Sequence, residues 1–202
     1  MKSAVAESPA PPQAWRAVAG QLQCAAVMSA RSDEELLQAA GLGDRAAFQA
    51  LVSRYAVELL GYFRRRTGEE AAEDLLQETL LRLHKAAPRF VPQATFRTYL
   101  YTIARNLALN HHRDSRASVA LDPEAGPVER DPDPLESQER SDRVRRAVEG
   151  LSEPLRDVVL LRHYQGLSFR EIAGILGVPE GTAMRRMSDA LLRLRDALGD
   201  LP

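Results

Sequence analysis

Apolar side chains recur at spacings of three and four residues along most of the chain after residue 31, which places them on one face of a helix. No segment shows the strict alternation of apolar and polar residues that is typical of a half-buried strand. The helical pattern is interrupted once, near the middle, by a stretch rich in proline and acidic residues. The pattern predicts an all-α protein with two small helical domains, at 31–116 and 138–202, joined by a flexible linker at 117–137.

The first domain begins with a capping signal. Ser32 is a good N-cap, and Glu35 stands three residues later, as a capping box requires. The second predicted helix closes in Arg64–Arg66, whose charges complement the helix dipole. The four predicted helices run from Ser32 to Gly41, from about Asp44 to Arg66, from near Glu69 to before Pro88, and from Thr95 to about Arg116.

The second domain contains the pattern of a helix-turn-helix. Ser168 and Glu171 form another capping box, which opens a short helix. Gly177 supplies the left-handed residue for a sharp turn, and Pro179 starts the next helix. A short capped helix, a glycine turn and a longer helix with outward polar groups place a recognition helix in the DNA major groove.

Polar and basic residues on this motif are the candidates for contact with DNA. Arginine pairs bidentately with guanine or clamps phosphate, so Arg185 and Arg186 are the strongest candidates. The full predicted set is Arg170, Thr182, Arg185, Arg186 and Ser188. The residues predicted to face inward are Ala183, Met187, Ala190, Leu191 and Leu194.

The last predicted helix of the first domain interleaves aromatics, arginines and asparagines. Phe96 and Tyr99 are expected to pack in the core. Phosphate and base-edge contacts are expected from Arg97, Arg105, Asn106, Asn110 and Arg113. With the helix-turn-helix, this gives two DNA-reading surfaces held at a distance, which suits a protein that touches two elements of one promoter.

An acidic stripe lies on the third predicted helix. Asp74, Gln77, Glu78 and Leu81 fall at i, i+3, i+4 and i+7, so they share one face. Carboxylates beside a leucine are typical of a surface that docks a basic partner helix. A solvated acidic face is the alternative.

Proline and charge define the predicted linker and leader. Between Asp114 and Glu139 the chain holds eight acidic residues, and four prolines exclude helix from the centre. Residues 1–30 are rich in Ala, Pro and Ser and predict a flexible leader. Met28 is an alternative translation start to Met1.

Composition narrows the function classes. The net charge of -1 argues against a protein that coats DNA indiscriminately, so DNA binding must be local, weak in the isolated protein, or helped by a partner. The single cysteine, Cys24, rules out an internal disulfide and fits a cytoplasmic location. There is no apolar run long enough for a membrane span, and polar residues break the one candidate signal peptide, at 14–30. The sequence shows no metal-ligand cluster or glycine-rich phosphate loop, so it indicates no metal and no cofactor.

Three motifs, in order along the chain, carry a family resemblance: DLLQET at 74–79, FRTYLYTIARN at 96–106 and GLSFREIAGILGVPEGT at 166–182. Together they resemble the extracytoplasmic-function (ECF) sigma factors of the sigma-70 family, over roughly residues 32–198. The resemblance implies that the first domain is sigma region 2 and the second is region 4. It also implies a non-enzymatic promoter-specificity subunit that binds core RNA polymerase and promoter DNA, under the control of an anti-sigma factor.

The resemblance assigns roles that the residues alone do not. The stripe of Asp74, Gln77, Glu78 and Leu81 would dock on the clamp helices of the largest polymerase subunit. The loop at 89–95 would capture a flipped base of the minus-ten element, a step that needs stacking and edge contacts. Phe90, Gln93 and Thr95 are the candidates for that pocket.

Two departures from the family pattern bear on DNA choice. Met184 and Asp189 stand where the family usually has lysine and arginine, which implies weaker phosphate binding or an altered minus-35 preference. The loop before Phe96 has Val91-Pro92-Gln93 in place of the usual glycine and acidic residue.

Two other function classes compete with the sigma interpretation. One is a self-sufficient helix-turn-helix regulator that binds an operator as a dimer, with the first domain as a sensor or dimer module. The other is a nuclease, which the sequence disfavours because it lacks clustered carboxylates for paired metals.

Overall fold

The computed structural model describes residues 31–121 and 136–199, with side chains at 31–114 and 142–199. All regular elements in these ranges are helical. The predicted leader and most of the predicted linker lie outside the described residues. The two ends of that linker, 117–121 and 136–137, are helical, so the helices flanking it extend further than the sequence predicts.

The first unit is a bundle of four helices, and its helices begin near the predicted positions. They are α1 (Asp33–Gly41), α2 (Arg45–Thr67), α3 (Glu69–Ala86) and α4 (Phe96–Leu121), with a 3₁₀ turn at Ala87–Arg89 before α4. The Ser32–Glu35 capping box is present, with the Ser32 N–H donating to the Glu35 carboxylate at 2.9 Å. The buried aromatic rings of Tyr62 and Tyr101 lie edge to face at 5.7 Å and join α2 to α4.

The second unit contains the predicted helix-turn-helix. Its helices are α5 (Glu136–Glu149), α6 (Glu153–Val159), α7 (Phe169–Leu176) and α8 (Glu180–Leu198), and a π-helical turn at Leu160–Tyr164 extends α6. Pro154 lies in the first turn of α6, where its missing N–H costs no hydrogen bond. Gly177 ends α7 in the left-handed region, at φ 64° and ψ 36°.

The two units are in contact. Helix α4 packs along α7, and the end of α2 packs on the π-helical turn. Buried apolar residues of both units form one continuous core cluster. The sequence leads us to expect two DNA-reading surfaces held at a distance, whereas the structure joins the two units face to face.

Candidate nucleic-acid and protein interfaces

The helix-turn-helix presents most of its predicted DNA-contacting side chains to solvent. Arg170, Arg185 and Ser188 are exposed, and Thr182 and Arg186 are half-buried. The Ser188 hydroxyl donates to the Met184 carbonyl at 3.3 Å, so this side chain bonds back to its own helix. Met184 and Asp189, the two residues of α8 that differ from the family pattern, are also exposed.

The inward face of α8 is mostly as predicted. Ala183 and Ala190 are fully buried, and Met187 and Leu194 are half-buried against the core. Leu191 was wrongly predicted to face inward, because 53% of its surface is exposed. The small residues on this face allow α8 to lie close to α6 and α7, and Leu191 falls outside that narrow contact stripe.

A short hydrogen-bond network fixes the start of α7. The backbone N–H and the hydroxyl of Ser168 donate to the Glu171 carboxylate at 2.9 Å and 2.8 Å, and Thr95 from the first unit also donates to it at 3.1 Å. Partial burial raises the pKa of Glu171, but these hydrogen bonds outweigh it and lower the pKa below its ordinary value. The carboxylate therefore stays charged at the N-terminus of α7, where the helix dipole favours it.

The loop before α4 borders an open cleft of about 840 Å³ between α3 and α4. Phe90 and Tyr99 stand on its wall with ring centroids 5.3 Å apart. Gln93 also lines the cleft, and its side chain is exposed. Thr95 lies at the start of α4, outside the cleft lining, and is held by Glu171. The structure thus places Phe90 and Gln93 together, with Thr95 to one side.

Three basic side chains that line this cleft were not predicted from the sequence. Arg82, Lys85 and Arg89 line it, and all three are exposed. They come from the end of α3 and the 3₁₀ turn, a separate part of the chain from the basic face of α4. The only hint in the sequence is that all three lie within eight residues before Phe90.

The predicted DNA-contacting residues of α4 fall into an exposed group and a group covered by the second unit. Asn106, Asn110 and Arg113 are exposed, and Asn110 accepts a hydrogen bond from Arg113 at 3.3 Å. In contrast, Arg97 and Arg105 are half-buried and point into the second unit. The candidate DNA surface of α4 is therefore open at its C-terminal end and covered towards its start.

An ionic cluster lies where the two units meet. Asp157 of α6 is fully buried and accepts hydrogen bonds from Arg66 at 3.1 Å and from Arg105 at 2.8 Å. Arg66 is thus a buried interface residue, whereas the sequence assigned it to the helix dipole. Beside it, burial and the negative charge of Asp157 raise the pKa of the Tyr62 hydroxyl well above its usual range.

The predicted stripe on α3 is a continuous accessible surface. Asp74, Gln77 and Leu81 are exposed, and Glu78 is half-buried in an ion pair with Arg82 at 2.7 Å. Leu81 leaves 53% of its surface in solvent. An apolar side chain held among carboxylates is suited to bind a partner surface that is both apolar and basic.

Sequence comparisons match both units to one family. The profile described as Sigma-70 region 2 matches residues 51–118, and the profile described as Sigma-70, region 4 matches residues 141–194. The chain is 31% identical to the ECF RNA polymerase sigma-E factor of Haemophilus influenzae, over 77% of this chain and 89% of that one. It is 33% identical to the RNA polymerase sigma factor CarQ of Myxococcus xanthus, over 79% and 93%. This chain belongs to the ECF sigma factors of the sigma-70 family.

Solved structures show the same fold. CnrH, in its complex with the cytosolic domain of CnrY, matches this sigma factor with a TM-score of 0.67 at 25% identity, over 83% of this chain and 97% of that one. The sigma factor RpoE of Bartonella quintana, in complex with the anti-sigma factor NepR, matches with a TM-score of 0.65 at 24% identity, over 76% and 98%.

Membership of the family confirms the main sequence prediction. As a sigma factor, the chain binds core RNA polymerase and directs it to promoters, and its two units are regions 2 and 4. The alternatives of a dimeric regulator and a nuclease are set aside, because sigma factors are neither. Within residues 31–121 and 136–199, no helix is long and apolar enough to cross a membrane. The same ranges hold no cluster of side chains able to bind a metal ion.

Proposed function

We propose that this sigma factor uses three surfaces, one for core polymerase and two for promoter DNA. The stripe on α3 binds core polymerase, helix α8 reads the minus-35 element, and the cleft beside α4 holds an unpaired base of the minus-ten element. The observation that carries the proposal is the meeting of an aromatic pair with three cations in one cleft. Bond formation belongs to polymerase, so no residue of this chain is assigned a catalytic role, and the protein acts in the cytoplasm.

The cleft fits a base removed from the duplex. A flipped base loses its stacking partners, and the rings of Phe90 and Tyr99 offer a replacement surface. The cations Arg82, Lys85 and Arg89 stand where they can hold the phosphates on either side of that base. The exposed amide of Gln93 can donate and accept hydrogen bonds at the base edge. The cleft can therefore stabilise melted DNA.

Helix α8 is the surface proposed to read the minus-35 element. Arg185 is exposed in its second turn, the part of a recognition helix that enters the major groove. Thr182 and Arg186 flank it and supply further base or phosphate contacts. Met184 lies between them and supplies an apolar contact in place of a cation. Specific binding therefore depends mainly on Arg185, and phosphate attraction is weak.

Control by an anti-sigma factor is the regulatory part of the proposal. RpoE of Bartonella quintana has the same fold and was solved with its anti-sigma factor NepR, and CnrH was solved with CnrY. We expect this chain to be held in the same way. If deletion of the gene for a candidate inhibitor leaves the transcripts of the sigma factor unchanged, control by that inhibitor is excluded.

The polymerase surface is tested by a matched pair of variants on α3. Replacing Asp74 and Leu81 together by alanine removes a carboxylate and the exposed apolar contact. We expect the affinity of this double variant for purified core polymerase to fall about tenfold or more, which corresponds to a loss of about 1.4 kcal/mol in binding free energy. Glu69→Ala also removes one carboxylate from an exposed position of the same helix, but Glu69 is not three or four residues from any member of the stripe, so this variant should bind normally. Equal binding by both variants would contradict the assignment.

A further inference from the structure

Helix α1 contacts both ends of the loop at 90–95, which carries part of the proposed base pocket. At the start of α1, the Glu34 carboxylate accepts a hydrogen bond from the Phe96 N–H at 2.7 Å, directly after the loop. At the end of α1, Gly41 packs on the backbone of Ala87, in the 3₁₀ turn that precedes the loop. The first helix of the chain thus touches the loop on both sides without lining the cleft.

Glu34 caps α4 from outside that helix. The first N–H groups of a helix have no acceptor within the helix itself. The Thr95 hydroxyl accepts the N–H of Thr98 at 3.2 Å, as an N-cap side chain does. The N–H of Phe96 is satisfied instead by Glu34, which lies 62 residues earlier in the chain. The negative charge of Glu34 also suits the positive end of the α4 dipole.

The neighbouring residue, Asp33, fixes the start of α1 on α2. Its carboxylate accepts hydrogen bonds from Arg54 at 2.6 Å and from the Tyr55 hydroxyl. Burial and the hydrogen bond to Asp33 raise the pKa of the Tyr55 hydroxyl above its usual range, so this group remains a donor. The ring of Tyr55 packs on the ring of Phe96 with centroids 5.2 Å apart. Phe96 is therefore held through its backbone by Glu34 and through its ring by Tyr55.

At the other end of α1, Gly41 allows the helix to lie directly on the 3₁₀ turn. A Cβ atom at Gly41 would stand 2.4 Å from the carbonyl oxygen of Ala87 and 2.7 Å from its carbonyl carbon. Contacts this short with backbone atoms do not occur in folded proteins, so only glycine fits here without a shift of the turn. Ala87 itself is buried. The chain is therefore fixed immediately before the loop begins.

These two contacts set the distance between the ends of the loop. Seven residues of helix separate Glu34 from Gly41, which is about 10 Å along the helix axis. Six residues of extended chain, as many as the loop at 90–95 contains, can reach about 20 Å, so the loop does not fix this distance by itself. A rigid helix with a contact at each end does. The position of Phe90 against Tyr99 depends on where the two ends of the loop are held.

We propose that helix α1 holds the base pocket in its binding arrangement, with Glu34 as the positioning residue at the end of the loop and Gly41 as the contact at its beginning. No residue of α1 is assigned a contact with DNA. By fixing the loop before DNA arrives, α1 lowers the cost of ordering Phe90 and Gln93 when a base enters. The proposal rests on the proposed function in taking this cleft as the base pocket.

The contact of Glu34 with the loop is tested without DNA by amide hydrogen exchange, followed by NMR on the full-length protein. In Glu34→Ala the N–H of Phe96 should exchange about tenfold faster or more, because it loses a charged acceptor. Glu34→Gln keeps a side-chain oxygen at this place and should protect Phe96 better than alanine does. Gln38→Ala truncates an exposed side chain one turn further along α1 and should exchange like the parent. Unchanged exchange at Phe96 in Glu34→Ala would overturn the proposal.

The effect on the pocket is tested with holoenzyme on a promoter that this sigma factor uses. Glu34→Ala should slow opening of duplex promoter DNA about tenfold, the factor that one hydrogen bond to a charged group can supply. The defect should be smaller on a template with a pre-opened bubble, and Glu34→Gln should recover most of the rate. Gln38→Ala should open both templates like the parent. A general loss of structure would impair both templates and core binding alike, so equal defects on the two templates would overturn the positioning role.

Gly41→Ala tests the contact at the beginning of the loop. The added methyl group meets the Ala87 carbonyl, so the backbone signals of the loop at 90–95 should shift in NMR spectra. Opening of the duplex promoter should slow more than opening of the bubble template, as in Glu34→Ala. Circular dichroism checks that the variant is folded. A folded Gly41→Ala protein with unshifted loop signals would overturn the proposal that both ends are held.

A double variant separates failure of this proposal from failure of the proposed function. Adding Glu34→Ala to Phe90→Ala should slow promoter opening little beyond Phe90→Ala alone, because residues that act as one unit are not additive. Fully additive defects would show that Glu34 does not act through the loop and would overturn the proposal. If Phe90→Ala alone opens promoters normally, the base pocket of the proposed function is wrong. Exchange at Phe96 would still report whether α1 holds the loop.

Discussion

The rings of Phe90 and Tyr99 lie 5.3 Å apart at an interplanar angle of 50°, on the wall of a cleft that also presents three cations. Phe90 comes from the loop before α4, and Tyr99 comes from the first turns of α4 itself. Each ring is partly buried against the core, so the pair is held in place while one side faces the cleft. A fixed aromatic surface of this kind needs little reorganisation to accept a base.

Phe90→Ala should impair promoter opening more than polymerase binding. Loss of one base–aromatic stack costs about 1–3 kcal/mol, so open-complex formation on duplex promoter DNA should fall accordingly. The defect should be smaller on a template with a pre-opened bubble, because melting is no longer required there. Val57→Ala, which truncates an exposed side chain on α2, is the control and should behave as the parent. An equal defect on both templates would argue against a role in melting.

Arg185→Ala should weaken use of the minus-35 element. A bidentate contact to a base contributes about 1–3 kcal/mol of discrimination, so promoters with an altered minus-35 element should be used nearly as well as the original. Competition between the two promoters in run-off transcription measures this ratio. Arg195→Ala removes an exposed cation from the last turn of the same helix and should keep the preference. A preserved preference in Arg185→Ala would remove this residue from base readout.

Two glycine substitutions should change stability in opposite directions. Gly177 has φ 64°, so Gly177→Ala should destabilise the helix-turn-helix by about 1–2 kcal/mol through left-handed strain. Gly181 lies inside α8, and a methyl group added there would meet open space, so Gly181→Ala should stabilise the fold by about 0.5–1 kcal/mol. Chemical denaturation followed by circular dichroism gives both values. Equal effects would mean that the turn does not require the left-handed residue.

The stability that the Glu171 carboxylate contributes at the N-terminus of α7 should decrease at acidic pH. The pKa of Glu171 is lower in the folded protein than its ordinary value of 4.5. Its contribution to the free energy of unfolding is therefore fully present above pH 4.5, and it is lost as the pH falls through the pKa of the folded state. At neutral pH, Glu171→Gln should cost about 0.3–1 kcal/mol, the usual strength of a charge at a helix N-terminus. The difference in unfolding free energy between the two proteins should shrink once the pH falls below 4.5. A difference that is constant with pH would show that the charge does not contribute.

Local signals in the sequence were sufficient where neighbouring residues determine the structure. The capping boxes at Ser32 and Ser168 and the glycine turn at Gly177 each depend on side chains within a few positions, and all three are present. The exposed stripe with Leu81 follows from helical periodicity alone. These features determined the start of α1, the helix-turn-helix and the outward face of α3.

Contacts between distant residues were not predictable in the same way. Arg66 and Asp157 are 91 residues apart, and nothing near either residue shows that a partner will bury it. The sequence therefore assigned Arg66 to a helix dipole and placed Arg97 and Arg105 on a free DNA surface. The cations of the cleft were missed for a related reason, because they meet α4 only after the chain has turned at Ala87–Arg89.

The most direct test of the sigma function proposed for these surfaces is transcription by purified, sigma-free core polymerase supplied with this chain on genomic DNA, with the 5′ ends of the transcripts mapped. We predict new start sites that share two upstream elements, and loss of those starts when Phe90 or Arg185 is replaced by alanine. No complex with core polymerase and no new starts would contradict it.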